Sequence, residues 1–232
     1  MEYKYARDDH YEDFASGRVL YHMGGEATFP VRLTLELYER CLQYSEKKKD
    51  IILYDCCCGG AYMLTVLGLI KGESIAELYG SDISDRSLQL ASDNLSLLTR
   101  EGLNRRRSEL QELYRQYGKE SHKEALQSID RLEGFVKDKI KTAVFFRNAL
   151  EAVDLPFVPD IILTDVPYGN MAEWSEGKDR SSRMMDALAH NCGKETILCV
   201  CMDKKQKILT DRYQRLEKQV IGKRRFEIYR MK

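Results

Sequence analysis

Short apolar runs alternate with amphipathic stretches along this chain, and their order predicts an architecture. From Val31 to about Ser45, the apolar positions Leu33, Leu37, Tyr38, Cys41 and Leu42 recur at helical spacing. After a charged EKKKD turn, Ile51-Ile52-Leu53-Tyr54 is a continuous apolar run that closes at Asp55, as a strand buried on both faces would read. Gly59-Gly60 and the stretch AYMLTVLGLI predict a tight turn into a helix ending near Gly72. Glu77 to Asp82 reads as a second strand and Asp85 to Leu98 as a second helix. Strand, helix, strand, helix in this rhythm calls for parallel pairing with right-handed crossovers.

The rhythm breaks between about 100 and 140. Leu103, Leu110, Leu113 and Tyr117, then Ala125, Ile129, Leu132 and Val136, keep helical spacing through a charged segment, which predicts two inserted helices that could pair antiparallel. Strands resume at Thr142 to Arg147, Asp160 to Thr164 and Glu195 to Met202, with a loop over 169–179 and a helix near 180–191 between the last two. Arg215 to Lys232 reads as a closing hairpin that turns at Ile221-Gly222-Lys223-Arg224. The expected fold is α/β: a Rossmann-like sheet in the layout of class I methyltransferases, with a helical insertion and a C-terminal antiparallel hairpin. It would form one domain over residues 1–232, with an N-terminal extension over 1–30.

Composition narrows the setting. Lys plus Arg and Asp plus Glu each number 37, so there is no bulk charge to pull the chain toward nucleic acid. Charge is uneven locally: Arg215, Lys218, Lys223, Arg224, Arg225, Arg230 and Lys232 face only Glu217 and Glu227 near the C-terminus. Such patches can bind phosphate even in a neutral protein. The seven cysteines form no pair of CxxC elements, so neither a zinc site nor a disulfide framework is expected; they read as reduced, buried thiols. No apolar run approaches the ~20 residues of a membrane span, and the start of the chain lacks the apolar core of a secretory signal. A soluble cytoplasmic monomer without metal is the expectation.

Three strand ends carry candidate chemistry. Asp55-Cys56-Cys57-Cys58-Gly59-Gly60 ends the first strand and opens a helix; small residues let a ligand approach the backbone, and the helix N-terminus favours a carboxylate. The order differs from GxGxxG, which argues against a nicotinamide enzyme. Asp82 ends the second strand, where a carboxylate can accept from both ribose hydroxyls. Asp165-Val166-Pro167-Tyr168 ends the fourth strand and looks like the (D/N)PP(Y/F) loop of amino methyltransferases, with Val in place of the first Pro. An exocyclic amine conjugated to a base is a poor nucleophile. The Asp165 carboxylate and the Val166 carbonyl would accept from its N–H bonds, and Tyr168 would stack on a base drawn out of its helix.

Over roughly 18–230 the chain resembles the avilamycin-resistance rRNA methyltransferases. The resemblance rests on Phe29-Pro30-Val31-Arg32-Leu33, on DCCCGGAYMLTVLG from Asp55 to Gly68, on Ser81-Asp82, and on Leu163 to Gly169 followed by Trp174. It implies methyl transfer from S-adenosylmethionine to a guanine of 23S rRNA in the large ribosomal subunit, with a link to orthosomycin resistance. On that reading Asp55, Cys56, Cys58, Gly59, Gly60, Asp82 and Asp165 surround the cofactor, and Asn148 or Leu150 stands where the family places an acidic residue near the adenine amine, of which Asn148 can accept through its amide oxygen. The candidate catalytic residues are Asp165, Val166, Pro167 and Tyr168. Candidate RNA contacts are Arg32, Arg105, Arg106, Trp174, Arg224 and Arg225. Two other readings compete. A DNA amino methyltransferase would need a separate target-recognition segment, for which the chain has no room. A non-catalytic S-adenosylmethionine-binding module for ribosome assembly would be expected to lose Asp165, Pro167 and Tyr168, all of which are present.

Overall fold

The computed structural model describes residues 2–15, 17–24, 28–166 and 180–232. Seven strands form one sheet in the order β3-β2-β1-β4-β5-β7-β6. They are β1 (Ile51–Asp55), β2 (Ile75–Asp82), β3 (Lys141–Phe146), β4 (Ile161–Asp165), β5 (Ile197–Asp203), β6 (Tyr213–Ile221) and β7 (Arg224–Met231). The first five run parallel, and β7 then pairs antiparallel with β5 and with β6. The strand order reverses between β1 and β4. This is the switch point beside which open α/β sheets build their ligand crevices, at the carboxyl ends of the strands.

Helices α1 (Val31–Tyr44), α2 (Tyr62–Lys71), α3 (Asp85–Ser96), α4 (Arg100–Tyr117) and α5 (Glu120–Leu132) contribute to one core on one face of the sheet, together with Phe14, Val19 and Leu20 of the N-terminal extension. Helix α6 (Arg180–Leu188) covers the other face with Leu155 and Phe157 of the β3–β4 connection; the Phe157 ring stacks on Tyr79 at 3.7 Å between centroids. The two inserted helices are where periodicity puts them. Thr99 caps α4 by accepting from the Gly102 N–H, and Gly118, at φ +61, lets the chain turn into α5.

The N-terminal extension, unassignable from periodicity, is docked by a buried carboxylate. Glu36 on α1 accepts the backbone N–H groups of Lys4, Tyr5 and Ala6 at 2.8–3.0 Å and pairs with Arg40 at 2.7 Å. Arg40 also reaches Glu217 on β6, so one ionic network joins the extension, α1 and the edge of the sheet.

Candidate active site

At the carboxyl ends of β1, β2 and β4 lies a cavity of about 660 Å³. It brings together the three acidic strand ends, Asp55, Asp82 and Asp165, with Cys56, Cys58, Gly59, Gly60 and Asn148 of the expected cofactor set. Val166 is buried at the end of β4, and its N–H donates to the Cys201 carbonyl at 2.9 Å. Pro167, Tyr168 and Trp174 lie outside the described residues.

The turn after β1 owes its shape to close approach. Cys58 donates its N–H to the Ser81 carbonyl at 3.0 Å, and its Sγ lies so near β2 that a Cβ on Gly80 would meet it at 2.9 Å. Glycine in the Gly80-Ser81-Asp82 motif is therefore a packing requirement of the turn. Gly59 takes φ +50, a left-handed conformation that suits glycine, and so delivers its N–H to Asp82 Oδ2 at 2.9 Å. Asp82 Oδ1 accepts from the Ser84 N–H at 3.0 Å. Each of its oxygens retains acceptor capacity, since an ionised carboxylate offers about four lone-pair directions.

Asp55 is 3 % exposed. Its Oδ1 accepts from the Thr164 hydroxyl at 2.7 Å and the Cys57 N–H at 3.0 Å. Burial nevertheless pushes its carboxyl up to about 7 from an ordinary 3.8, with the nearby Asp165 and Asp82 acting in the same direction. Burial likewise raises the Cys58 thiol, so it is a neutral wall at pH 7.

Below the turn, a hydrogen-bonded chain crosses three strands. Arg147 donates to the Tyr54 hydroxyl at 3.0 Å, Tyr54 pairs with the Ser81 hydroxyl at 2.7 Å, and Ser81 reaches the Cys56 carbonyl at 3.4 Å. Arg147 lines the cavity, is 4 % exposed, and its Nε has no hydrogen-bond partner among the described residues.

Sequence reasoning missed the cavity wall supplied by the extension. Tyr21 and Phe29 both line the cavity. Asn94 on α3 accepts the Tyr21 N–H at 2.8 Å and donates to the Tyr21 and Gly60 carbonyls at 3.1 and 2.9 Å, tying that wall to the glycine turn. A single Asn among polar helix residues carries no signal of this bridge.

The expected RNA contacts are scattered. Arg32 holds the extension: it pairs with Asp8 at 3.0 Å and lies 4.2 Å over the Tyr3 ring. Arg105 reaches the Ser96 hydroxyl at 2.8 Å. Arg106 donates to the Val19 carbonyl at 2.9 Å and covers the Tyr21 ring at 4.3 Å, so it supports the cavity wall from beneath. Arg224 lies 5.4 Å over Phe29 at the cavity. Arg225 corrects the expectation of a surface contact: it is 7 % exposed, pairs with Glu227 at 2.8 Å, and donates to the Lys204 and Gln206 carbonyls. Strand β7 is sandwiched between β5 and β6 and covered on both faces, which leaves Arg225 little contact with solvent.

The sheet order, the reversed terminal strands and the acidic crevice at the switch point define a class I methyltransferase. The profile of the rRNA methyltransferase AviRa family matches residues 1–224, and the chain belongs to that family. It is 36 % identical over 223 residues to the 23S rRNA (guanine(2535)-N(1))-methyltransferase of Streptomyces viridochromogenes, spanning 91 % of this chain and 88 % of that one. Among solved structures it is similar to the rRNA methyltransferase AviRa of that organism, with a TM-score of 0.91 and 29 % identity over 99 % of this chain and 96 % of that one. TrmN from Thermus thermophilus, at TM-score 0.56 and 11 % identity, covering 90 % of this chain and 51 % of its own, shares the fold alone.

Proposed function

We propose that this enzyme methylates a guanine of 23S rRNA, with S-adenosylmethionine as donor, and that the reacting atom is the ring nitrogen N1. The observation that carries the reading is the gathering of Asp55, Asp82 and Asp165 around one crevice in a chain of the AviRa family.

The residues suit the cofactor. A cavity of about 660 Å³ falls within the ~300–1,000 Å³ of small-molecule sites. Asp82 keeps acceptor capacity for two ribose hydroxyls. The start of α2 offers backbone N–H groups to a carboxylate. Asn148 Oδ1 accepts only the Leu150 N–H among the described residues, at 3.1 Å, which leaves a lone pair for an adenine amine. When bound, S-adenosylmethionine supplies an electrophilic methyl on a sulfonium whose positive charge the acidic crevice complements.

The N1 specificity of the Streptomyces relative shifts the emphasis from the exocyclic amine to the ring. In neutral guanine, N1 carries a proton and its lone pair is spread into the neighbouring carbonyl. Methylation at N1 therefore requires that proton to leave, and the chain must receive it. Asp165, at the end of β4 and facing the cavity, takes that role. The Val166 carbonyl, on the residue whose N–H is held by the Cys201 carbonyl, accepts from the adjacent 2-amino group and orients the ring. Fixing the base in this way supplies acceleration by position.

The test is primer extension on 23S rRNA from a host lacking the modification, with and without this protein. A methyl on N1 blocks Watson–Crick pairing and stops reverse transcription, whereas one methyl on the exocyclic amine lets it pass. A protein-dependent stop at one guanine that disappears with Asp165→Ala is expected. Full read-through with the active protein present would overturn the N1 assignment.

A further inference from the structure

The chain's balanced charge leaves open how it would hold a polyanion, and the pattern of pairing resolves it. The insertion carries eleven basic residues between Arg100 and Lys141. Nine of the eleven are in ion pairs with described residues, and Arg105 and Lys119 form none among them. Arg107, for example, reaches both Asp130 and Glu133 across the α4–α5 contact. Cations spent in this way lose part of their attraction for phosphate.

The other end of the sheet differs. Lys204, Lys205 and Lys207 follow β5, Lys223 sits in the β6–β7 turn, and all four are exposed. None forms an ion pair with another described residue. The loop and the turn adjoin, since the Lys204 N–H donates to the Lys223 carbonyl at 3.1 Å. Of the acidic residues nearby, Asp203 accepts the Lys205 N–H at 2.8 Å, while Asp211 is exposed.

The lysine loop is built to hold its shape. Buried Arg225 donates to the Lys204 and Gln206 carbonyls, Ile208 is buried, and the Leu209 N–H donates to the Ser182 hydroxyl on α6 at 2.9 Å. Leu209 itself is 75 % exposed beside the cations. The loop also sits next to the acceptor side of the crevice. Asp165 pairs with Cys201 across β4 and β5, and β5 ends two residues later, a step of about 7 Å along a strand. Arg224, next to Lys223, covers Phe29 at the cavity wall.

We propose that Lys204, Lys205, Lys207 and Lys223 form the surface that grips the phosphate backbone of 23S rRNA as a guanine enters the crevice. The inference rests on the functional reading above and adds where the RNA lies. Affinity for a polyanion comes from counterions released by unpaired cations, so this surface dominates and the insertion contributes little. Arg225 acts as a positioning residue that presents the loop.

The variant Lys204→Gln/Lys205→Gln/Lys207→Gln/Lys223→Gln tests it, with the ion-paired Arg115→Gln/Lys123→Gln/Lys139→Gln as control. Binding of a 23S rRNA fragment is measured by filter retention over a KCl series, with methylation kinetics and S-adenosylmethionine titration alongside. The quadruple variant should lose about 3 from the slope of log affinity against log salt, at ~0.7 per phosphate contact. It should raise KM for RNA while S-adenosylmethionine affinity and the single-turnover rate at saturating RNA stay put. The control should leave the slope unchanged. An unaltered slope and KM in the quadruple variant, with a parent that methylates normally, would overturn the surface and spare the function. A slope lowered by the control instead would move the grip to the insertion. A parent that neither binds nor methylates 23S rRNA would overturn both.

Discussion

Replacing Asp55 with Asn removes a charge and keeps a shape, which isolates what the buried carboxylate costs the fold. Asp55 Oδ1 accepts from Thr164 and Cys57, and an Asn oxygen can accept the same two bonds. Its new amide N–H₂ enters a neighbourhood made negative by Asp82 and Asp165, which the donors suit. In the parent, the folded carboxyl is raised to about 7 from 3.8. Between those values the folded protein holds a proton that the unfolded chain has released, so raising the pH disfavours folding until about pH 7, where the penalty levels off. At 1.36 kcal/mol per pH unit the full penalty is about 4 kcal/mol, and about 3 kcal/mol of it develops between pH 5 and pH 8. The assay is urea unfolding of parent and Asp55→Asn at half-unit steps from pH 5 to 8. Titrating groups that do not interact with Asp55 are shared and cancel in the difference. The variant should gain about 3 kcal/mol relative to the parent across that window, while binding S-adenosylmethionine more weakly because the positive cofactor loses a carboxylate. A difference that stays flat with pH, or a variant less stable than the parent at pH 8, would refute the claim that burial holds this group near neutrality.

Asp82→Ala leaves the Gly59 and Ser84 N–H groups without their acceptor and removes the ribose partner; calorimetry should show S-adenosylmethionine binding weakened by ~1–3 kcal/mol. Asp165→Ala should cut the single-turnover methylation rate by at least ~100-fold, the lower range for loss of a proton acceptor, with cofactor affinity little changed; equal losses in both would assign Asp165 to the cofactor. Asn94→Ala breaks the bridge between Tyr21 and Gly60 and should lower unfolding free energy by ~1–3 kcal/mol while raising the S-adenosylmethionine dissociation constant; a variant unchanged in both would show that the wall stands without it.

Much of this was legible in the sequence because buried parallel strands and their crossover helices leave strong patterns. Ile51-Ile52-Leu53-Tyr54 before Asp55 reads as a buried strand and forms β1. The hairpin expected to turn at 221–224 turns there, between β6 and β7. Boundaries moved by a residue or two where the pattern thins: β2 begins at Ile75, before the expected Glu77. The acidic strand ends were visible because parallel strands finish where ligands bind. The extension was not legible, since its segments gain their place from one carboxylate, Glu36, and one amide, Asn94, far away in sequence. The arginines misled for a related reason. Sequence shows charge but not whether it is spent, and Arg106 and Arg225 use theirs inside the fold. A clue existed at Arg225: it shares a strand face with Glu227 two residues on, a spacing that lets a buried pair compensate.

The central claim meets its most direct test in nucleoside mass spectrometry. Purified protein is incubated with S-adenosylmethionine and unmodified large subunits or 23S rRNA, beside Asp165→Ala as the inactive control, and the RNA is digested to nucleosides. The account predicts close to one N1-methylguanosine per 23S rRNA with the parent and a strongly reduced yield with the variant. Methyl found on the exocyclic amine, on another base, or on no nucleoside at all would contradict it.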